Sequence, residues 1–228
     1  LDIGRNIIIA ARQAGIKKLL NLGSSCMYPR NALNPLKEEM ILQGELEPSN
    51  EGYALAKIIT TRLCEYIHRE NPKFQYKTMI PCNIYGRFDN FDPEESHLIP
   101  AIINKLHQAI KEEKTEVEIW GDGKARREFM YAGDLADAIS YALNYFDEMP
   151  SQINIGVGED HTINEYYSIV ASIMSFQGKF THDLEKPTGM LQKLVSIERQ
   201  TAWGWKPKMN LHEGLKLTYN YFLQEIES

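Results

Sequence analysis

Cysteine is scarce. The 228 residues hold three, Cys26, Cys64 and Cys82, too few and too widely spaced for a disulfide framework. None stands in the Cys-x-x-Cys spacing of a thiolate zinc site, so no bound metal is expected. Long apolar runs are lacking too: no stretch approaches the roughly 20 residues that span a bilayer, and no charged-then-apolar leader stands at the start. These absences point to a soluble protein of a reducing cytoplasm, with no membrane partner. Positive charge is not concentrated either. Lysine and arginine number 25 against 31 aspartate and glutamate, a net charge of −6, and the two signs are mixed along the chain. That excludes the basic stripe of a nucleic-acid binder and favours a small-molecule partner. Internal repeats and low-complexity linkers are missing as well.

What remains is a chain 43% hydrophobic, enough for one large domain or two unequal ones with a real core. The first residues, from Leu1, already carry a helical pattern in Ile3, Ile7, Ala10, Ala11 and Ala14, which Gly15 ends. "KKLLNLG" (17–23) reads as a buried strand, and a polar loop runs from there to about residue 50. A helix follows with Asn50 as its N-cap and Leu55, Ile59, Leu63 and Tyr66 on one stripe. "FQYKTMIPCNIYG" (74–86) reads as one strand, and a helix covers 97–112. "VEIW" and "EFMY" are short strands, "DLADAISYALNYF" a helix, "QINIG" a strand, "INEYYSIVASIMSF" a helix, and the last helix starts near Leu211. Strands separated by helices of ten or more residues imply βαβ units, hence an α/β class with a mainly parallel sheet.

In "NEGYALAK", Tyr53 and Lys57 are four apart on a helix and leave the same face. An ammonium close to a phenol favours the phenolate, and such a pair can move a proton to or from a carbonyl oxygen. With 12 tyrosines in the chain, however, the spacing arises about once by chance, and a solvated helix face would produce it equally well. Its context is more telling. A strand ending in Ser24-Ser25, then Tyr-x-x-x-Lys some thirty residues on, resembles the order of the short-chain dehydrogenase/reductase superfamily, and ligands in open α/β sheets bind beyond the carboxyl ends of strands. Ser24 and Ser25 have a plainer reading as polar caps on the next turn.

"GSSCMYP", "LEPSNEGYALAK", "MIPCNIYGRFDNFDPEESHLIPAII", "IWGDGKARREFMYAGDLADAI" and "INIGVGEDHTI" together resemble the GDP-L-fucose synthase branch of the extended short-chain dehydrogenases, in order and nearly in spacing. The resemblance implies a Rossmann-like fold, NADP as cofactor, a GDP-linked 4-keto-6-deoxy sugar as substrate, and a homodimer. It also implies inversion at C3 and C5 followed by reduction of the C4 ketone. On matching positions, Ser24 holds the substrate oxygen, Tyr53 is the proton donor, and Lys57 tunes Tyr53 and touches the nicotinamide ribose. Cys26 and His97 take the two faces of the inverted carbon, and both Asn83 and His97 also meet the cofactor. Asn83, Lys105, Trp120, Arg127 and Lys193 line the nucleotide-sugar pocket, whereas Arg126 is expected to be solvated. Unperturbed thiol and imidazole groups titrate close enough to neutrality for such proton exchange. Read without the family, Cys26 is a small buried residue, His97 a cap or surface group, and Trp120 a core residue.

Departures from the family pattern are visible. "KPTGM" carries Thr188 where an acidic residue is usual, Gln192 replaces a basic residue before Lys193, and Lys105 stands where some relatives have arginine. The Gly-x-x-Gly-x-x-Gly turn that seats a pyrophosphate on a helix N-terminus is absent from residues 1–228, and "INIGVGEDH" imitates it only as a turn. The expectation is therefore an N-terminally shortened member in which about 80 to 90 residues precede Leu1. Residues 1–88 would be the remainder of the dinucleotide-binding domain and 89–228 mainly the sugar-binding region, with about 130–155 returning to the first. Two other functions are open: a C4 reductase without inversion acting on a GDP-linked deoxyheptose or related sugar, and a non-catalytic nucleotide-sugar-binding remnant.

Overall fold

A computed structural model describes residues 1–93, 95–186 and 189–227; Thr188 lies outside the described residues. In chain order the elements are α1 (Asp2–Gln13), β1 (Lys18–Leu22), α2 (Glu51–Glu70), β2 (Gln75–Pro81), β3 (Asn83–Tyr85), α3 (Leu98–Lys111), β4 (Glu116–Trp120), β5 (Arg126–Arg127) and β6 (Phe129–Tyr131). There follow α4 (Ala132–Asn144), β7 (Gln152–Ile155), β8 (His161–Thr162), α5 (Ile163–Met174), β9 (Lys179–Asp183), β10 (Gln192–Lys193), α6 (Glu198–Trp203) and α7 (Leu211–Glu227). The pairings β1–β2, β2–β7, β3–β6 and β4–β9 are parallel and β5–β8 is antiparallel, so the class is α/β with mainly parallel sheets.

The chain forms two compact units. The first takes Leu1–Cys82, Leu135–Gly158 and Lys193–Pro207. Its sheet has the order β1-β2-β7, with Leu22 opposite Met79 and Pro81 opposite Ile155. The middle strand, β2, is buried along most of its length, as a strand covered on both faces must be. Ile8 of α1, Cys64 and Ile67 of α2 and Tyr76 of β2 pack in one cluster. Lys193–Pro207, which the sequence pattern leaves with the sugar-binding region, packs here instead.

The second unit takes Asn83–Asp134, Glu159–Gln192 and Lys208–Ser228. Its core gathers Ile99, Ile102, Ile103 and Leu106 of α3, Val117 and Ile119 of β4, Tyr166 and Val170 of α5, and Leu215 and Phe222 of α7. The heptad-like spacing of these positions on each helix places one apolar stripe inward.

Three expectations need correction. Residues 74–86 are two strands, not one: β2 ends at Pro81, and β3 starts at Asn83 to pair with β6 in the other unit. Proline has no N–H to continue a ladder, so a break at this point is natural. The stripe Leu55, Ile59 and Tyr66 of α2 faces outward, and the helix packs through Ala54, Ile58, Thr61, Cys64 and Ile67, one position along the turn. Asn50 precedes α2 but makes no side-chain cap bond. The short elements β5, β8, β9, β10 and α6 were not legible in the sequence pattern at all.

Candidate active site

The carboxyl end of β1 is built by Gly23. Its N–H donates to the Met79 carbonyl at 2.8 Å, continuing the ladder, and a Cβ there would lie 2.8 Å from the Met27 side chain and 3.2 Å from that of Thr78. Met27 could shift its terminal methyl, but the packed Thr78 and Ile80 side chains, 3.2 and 3.3 Å from that point, would have to give, so glycine suits the position. The next residue, Ser24, caps a 3₁₀ turn over Ser25–Met27: its hydroxyl oxygen accepts from the Cys26 N–H at 3.2 Å. The capping reading of Ser24 is thus realised, yet it leaves the hydroxyl hydrogen to be donated elsewhere.

Cys26 is half-buried and unbonded to another cysteine. Two side chains donate to its sulfur. Lys193 Nζ stands 3.2 Å from Sγ and Asn50 Nδ2 3.4 Å from it. Lys193 is itself buried, so its ammonium is committed to this spot in the first unit. Asn50, read from sequence as a cap, is a residue of the thiol's surroundings that sequence reasoning missed; its place three residues before Tyr53 was the available signal. On α2, Lys57 Nζ donates to the Leu22 carbonyl at 2.9 Å and lies 5.8 Å from the centre of the Tyr53 ring. Tyr53 is 51% exposed. The helix spacing therefore does put the phenol and the ammonium on one face, with the ammonium tied to the end of the strand that carries Ser24.

Behind this turn Tyr28 is fully buried. Its hydroxyl donates to Asn154 Oδ1 at 2.5 Å, while Asn154 donates from its backbone N–H to Glu38 Oε1 at 2.8 Å and from Nδ2 to the carbonyls of Leu36 and Ser196 at 2.9 and 3.2 Å. Burial, with the Glu38 carboxylate adding to it, pushes the Tyr28 phenol far above its ordinary value. Two tyrosines of one site region thus differ in kind: Tyr28 is a fixed donor, Tyr53 an accessible one. Burial also pushes the Cys64 thiol up to about 12, and Cys82 is buried as well.

The remaining predicted residues belong to the second unit. Asn83 Nδ2 donates to the Glu128 carbonyl at 2.8 Å. His97 occupies the N-cap position of α3 without a side-chain cap bond. Burial holds the Asp89 carboxyl above the usual carboxylate range, opposed by the Asn90 N–H and by His97. Trp120 is 59% exposed, which rules out the core reading, and the ammonium groups of Lys105 and Lys186 lie 5.8 and 5.3 Å from the indole centre. Lys105 also donates to the Glu118 carbonyl, and burial draws its ammonium below the ordinary lysine value. Arg127 donates to the carbonyls of Arg126 and Met190 at 2.8 and 2.6 Å. Arg126, expected to be solvated, is clamped: Nε donates to Asp160 Oδ1 and Nη2 to the Asp160 carbonyl, each at 2.7 Å. Gln192 Nε2 takes the other Asp160 oxygen at 2.6 Å. The departure at Gln192 thereby has a structural task, since a neutral donor completes a carboxylate already paired to one guanidinium.

Among the described residues no group of three His, Cys, Asp or Glu side chains could hold a metal ion, and no helix is long and apolar enough to cross a membrane. The first unit instead offers hydroxyl, phenol, ammonium and thiol at and around one strand end, a set suited to moving protons at a carbonyl.

Comparison with known proteins agrees. The NAD dependent epimerase/dehydratase family matches residues 1–156. GDP-L-colitose synthase of Yersinia pseudotuberculosis is 55% identical over 225 residues, 99% of this chain and 73% of that protein. GDP-L-fucose synthase of Azorhizobium caulinodans is 49% identical over 218 residues, 96% of this chain and 70% of that protein. Among solved structures, the GDP-mannoheptose C4 reductase of Campylobacter jejuni with NADP bound superimposes with a TM-score of 0.86 at 33% identity, covering 97% of this chain and 74% of that one. The sheet order, the strand-end serine and cysteine, the Tyr-x-x-x-Lys helix and these likenesses lead to one conclusion: the chain belongs to the NAD dependent epimerase/dehydratase family.

Proposed function

We propose that the chain performs the chemistry of an NADP-dependent nucleotide-sugar epimerase-reductase, inverting C3 and C5 of a GDP-linked 4-keto-6-deoxy sugar and reducing its C4 ketone. The observation that carries this is the gathering of Ser24, Cys26 and Lys57 at the carboxyl end of β1, with Tyr53 one helical turn from Lys57. Relatives at 55% and 49% identity named GDP-L-colitose and GDP-L-fucose synthases support the substrate class.

The first-unit residues fit a nicotinamide ribose: Lys57, bonded to one carbonyl, keeps further N–H groups for ribose hydroxyls, and Tyr53 is open to solvent. NADPH, when bound, supplies the hydride for the ketone. Ser24 donates its hydroxyl hydrogen to the C4 oxygen, and Tyr53 gives that oxygen a proton as the ketone becomes an alcohol. The same two donors steady the oxygen when a neighbouring carbon loses its proton, because the resulting anion spreads onto it. Cys26 exchanges a proton with that carbon, and His97 is the second acid-base group of the inversion. In the second unit, Trp120 with its two flanking lysines suits a guanine ring, and Arg127 a diphosphate. The outward apolar row of α2 supports a homodimer, and the three unbridged cysteines a cytoplasmic location.

The test is made in heavy water. Wild-type protein should place deuterium beside the ketone before reduction. Cys26→Ser should stop that uptake and still reduce the ketone, whereas Tyr53→Phe should lose most turnover with nucleotide-sugar affinity little changed. A second reading, reduction at C4 without inversion, is favoured by the likeness to a C4 reductase; reduction by wild type with no deuterium at C3 or C5 would establish it.

A further inference from the structure

Asn50 is the residue that neither the sequence motif nor the proposed chemistry explains. Its Nδ2 donates to Cys26 Sγ at 3.4 Å, and its Oδ1 is buried with no hydrogen-bond partner among the described residues. A buried amide oxygen left unpaired is costly, and an asparagine that merely capped α2 would avoid that cost by turning to the helix N–H groups, as it does not. The second donor to the sulfur, Lys193 at 3.2 Å, is of a different kind. An ammonium can only donate, so it serves a sulfur lone pair and never an S–H. A carboxamide carries a donor and an acceptor on one rotor, and a half-turn about its last bond exchanges them.

We propose that Asn50 is a positioning residue for Cys26, an amide rotor that holds the sulfur in both of its protonation states: Nδ2–H donates to the bare sulfur, and Oδ1 accepts the S–H. The inference rests on the reading of Cys26 as an acid-base group of the inversion. In that step the S–H bond breaks with its electron pair left on sulfur, and the proton forms a C–H bond with the electron pair of the anion beside the ketone. A proton from water then adds to the sulfur lone pair, leaves hydroxide to solvent and restores the S–H. A sulfur that alternates in this way needs an acceptor in one state and donors in the other, and the orphaned Oδ1 is the acceptor stored beside it. Lys193 stays on the sulfur throughout and fixes its place from the opposite end of the chain.

The experiment compares Asn50→Asp, Asn50→Ala, Lys193→Met and Cys26→Ser in the full-length protein with GDP-4-keto-6-deoxymannose in heavy water, following deuterium uptake and ketone reduction separately. Aspartate has the size of asparagine but can only accept, and it sets a negative charge beside a sulfur that must become negative. Asn50→Asp should slow deuterium uptake about a hundredfold and Asn50→Ala about tenfold, with KM unchanged and reduction of a ketone needing no inversion kept within about twofold. Lys193→Met should also slow uptake. Uptake at the wild-type rate in both Asn50 variants, with Cys26→Ser inactive in uptake, overturns the rotor and leaves the thiol assignment standing. Wild-type uptake in Cys26→Ser overturns that assignment and the rotor with it. Equal losses of uptake and reduction in Asn50→Asp make Asn50 a packing residue and overturn the proposal. Should Asn50→Ala not fold, iodoacetamide labelling of Cys26 in Asn50→Asp decides: labelling slowed about tenfold supports the contact, and an unchanged rate refutes it.

Discussion

Tyr28→Phe tests whether the buried hydroxyl behind the strand-end turn is structural. The ring stays, so packing is conserved, and only the bond from the Tyr28 hydroxyl to Asn154 Oδ1 is lost. The other Asn154 bonds run from its N–H and Nδ2, donors of the same residue that cannot serve its Oδ1. An acceptor that is fully buried then stands unpaired, at a cost of about 1–3 kcal/mol. With a urea dependence of about 2 kcal/mol per molar for a chain of this size, the unfolding midpoint should fall by roughly 0.5–1.5 M. Equilibrium urea unfolding followed by tryptophan fluorescence reads this directly, because Trp203 and Trp205 are buried in the first unit. Tyr53→Phe is the matched control: its ring is half exposed, and its midpoint should not move. A Tyr28→Phe midpoint within about 0.1 M of wild type would refute the reasoning, as would equal shifts in the two variants.

Three further outcomes are expected. Lys77 donates to the carbonyls of Phe146, Asp147 and Met149, and burial lowers its ammonium below the ordinary lysine value of 10.5. The folded state therefore sheds this proton before the unfolded state does, so stability should rise as pH climbs through the lowered folded value toward 10.5, and Lys77→Met should lose that rise in urea titrations at alkaline pH. Iodoacetamide at neutral pH should label Cys26 first in the native chain, since Cys64 and Cys82 are buried and the Cys64 thiol is pushed up to about 12; peptide mass spectrometry showing early labelling at Cys64 would contradict its burial. GDP should quench tryptophan fluorescence through Trp120, the exposed one of three, and Trp120→Phe should abolish the quenching.

The longer helices and their order were legible because each carries a long apolar period, which the six-residue α6 lacks, and the strand-end serine and Tyr-x-x-x-Lys pair because their spacing is local. The outward turn of Leu55, Ile59 and Tyr66 was not, since periodicity marks an apolar row without saying what covers it; Thr61 and Cys64 sit on the inward face of α2 instead. The split at Pro81–Asn83 was hidden because both strands are apolar and only the partners, β7 and β6, distinguish them. Two-residue strands such as β5 and β8 carry no period at all. Within the site, the partnership of Lys193 with the thiol was hidden because a contact spanning 167 positions leaves no trace in local spacing, and Asn50, 24 positions from the thiol, offered only its place three residues before Tyr53. Arg126 keeps the solvent exposure expected of it, but its pairing with Asp160, 34 positions away, was hidden for the same reason.

The first unit is assembled from three separated segments, and the last of them begins at Lys193. On the ribosome this orders events in time. Strand β1 and the thiol of Cys26 emerge early, yet the ammonium that holds the sulfur is added only 167 residues later, at roughly 5–20 residues per second a delay on the order of ten seconds or more. Throughout that interval the nascent cysteine lacks one of its two donors and the sheet lacks the segment that packs beside β7. A protein interrupted by a stop codon between Lys57 and Lys193 would carry the whole motif from Ser24 to Lys57 and still lack the ammonium beside its thiol. The pairing of thiol and ammonium is thus completed only when the last segment of the first unit has been made.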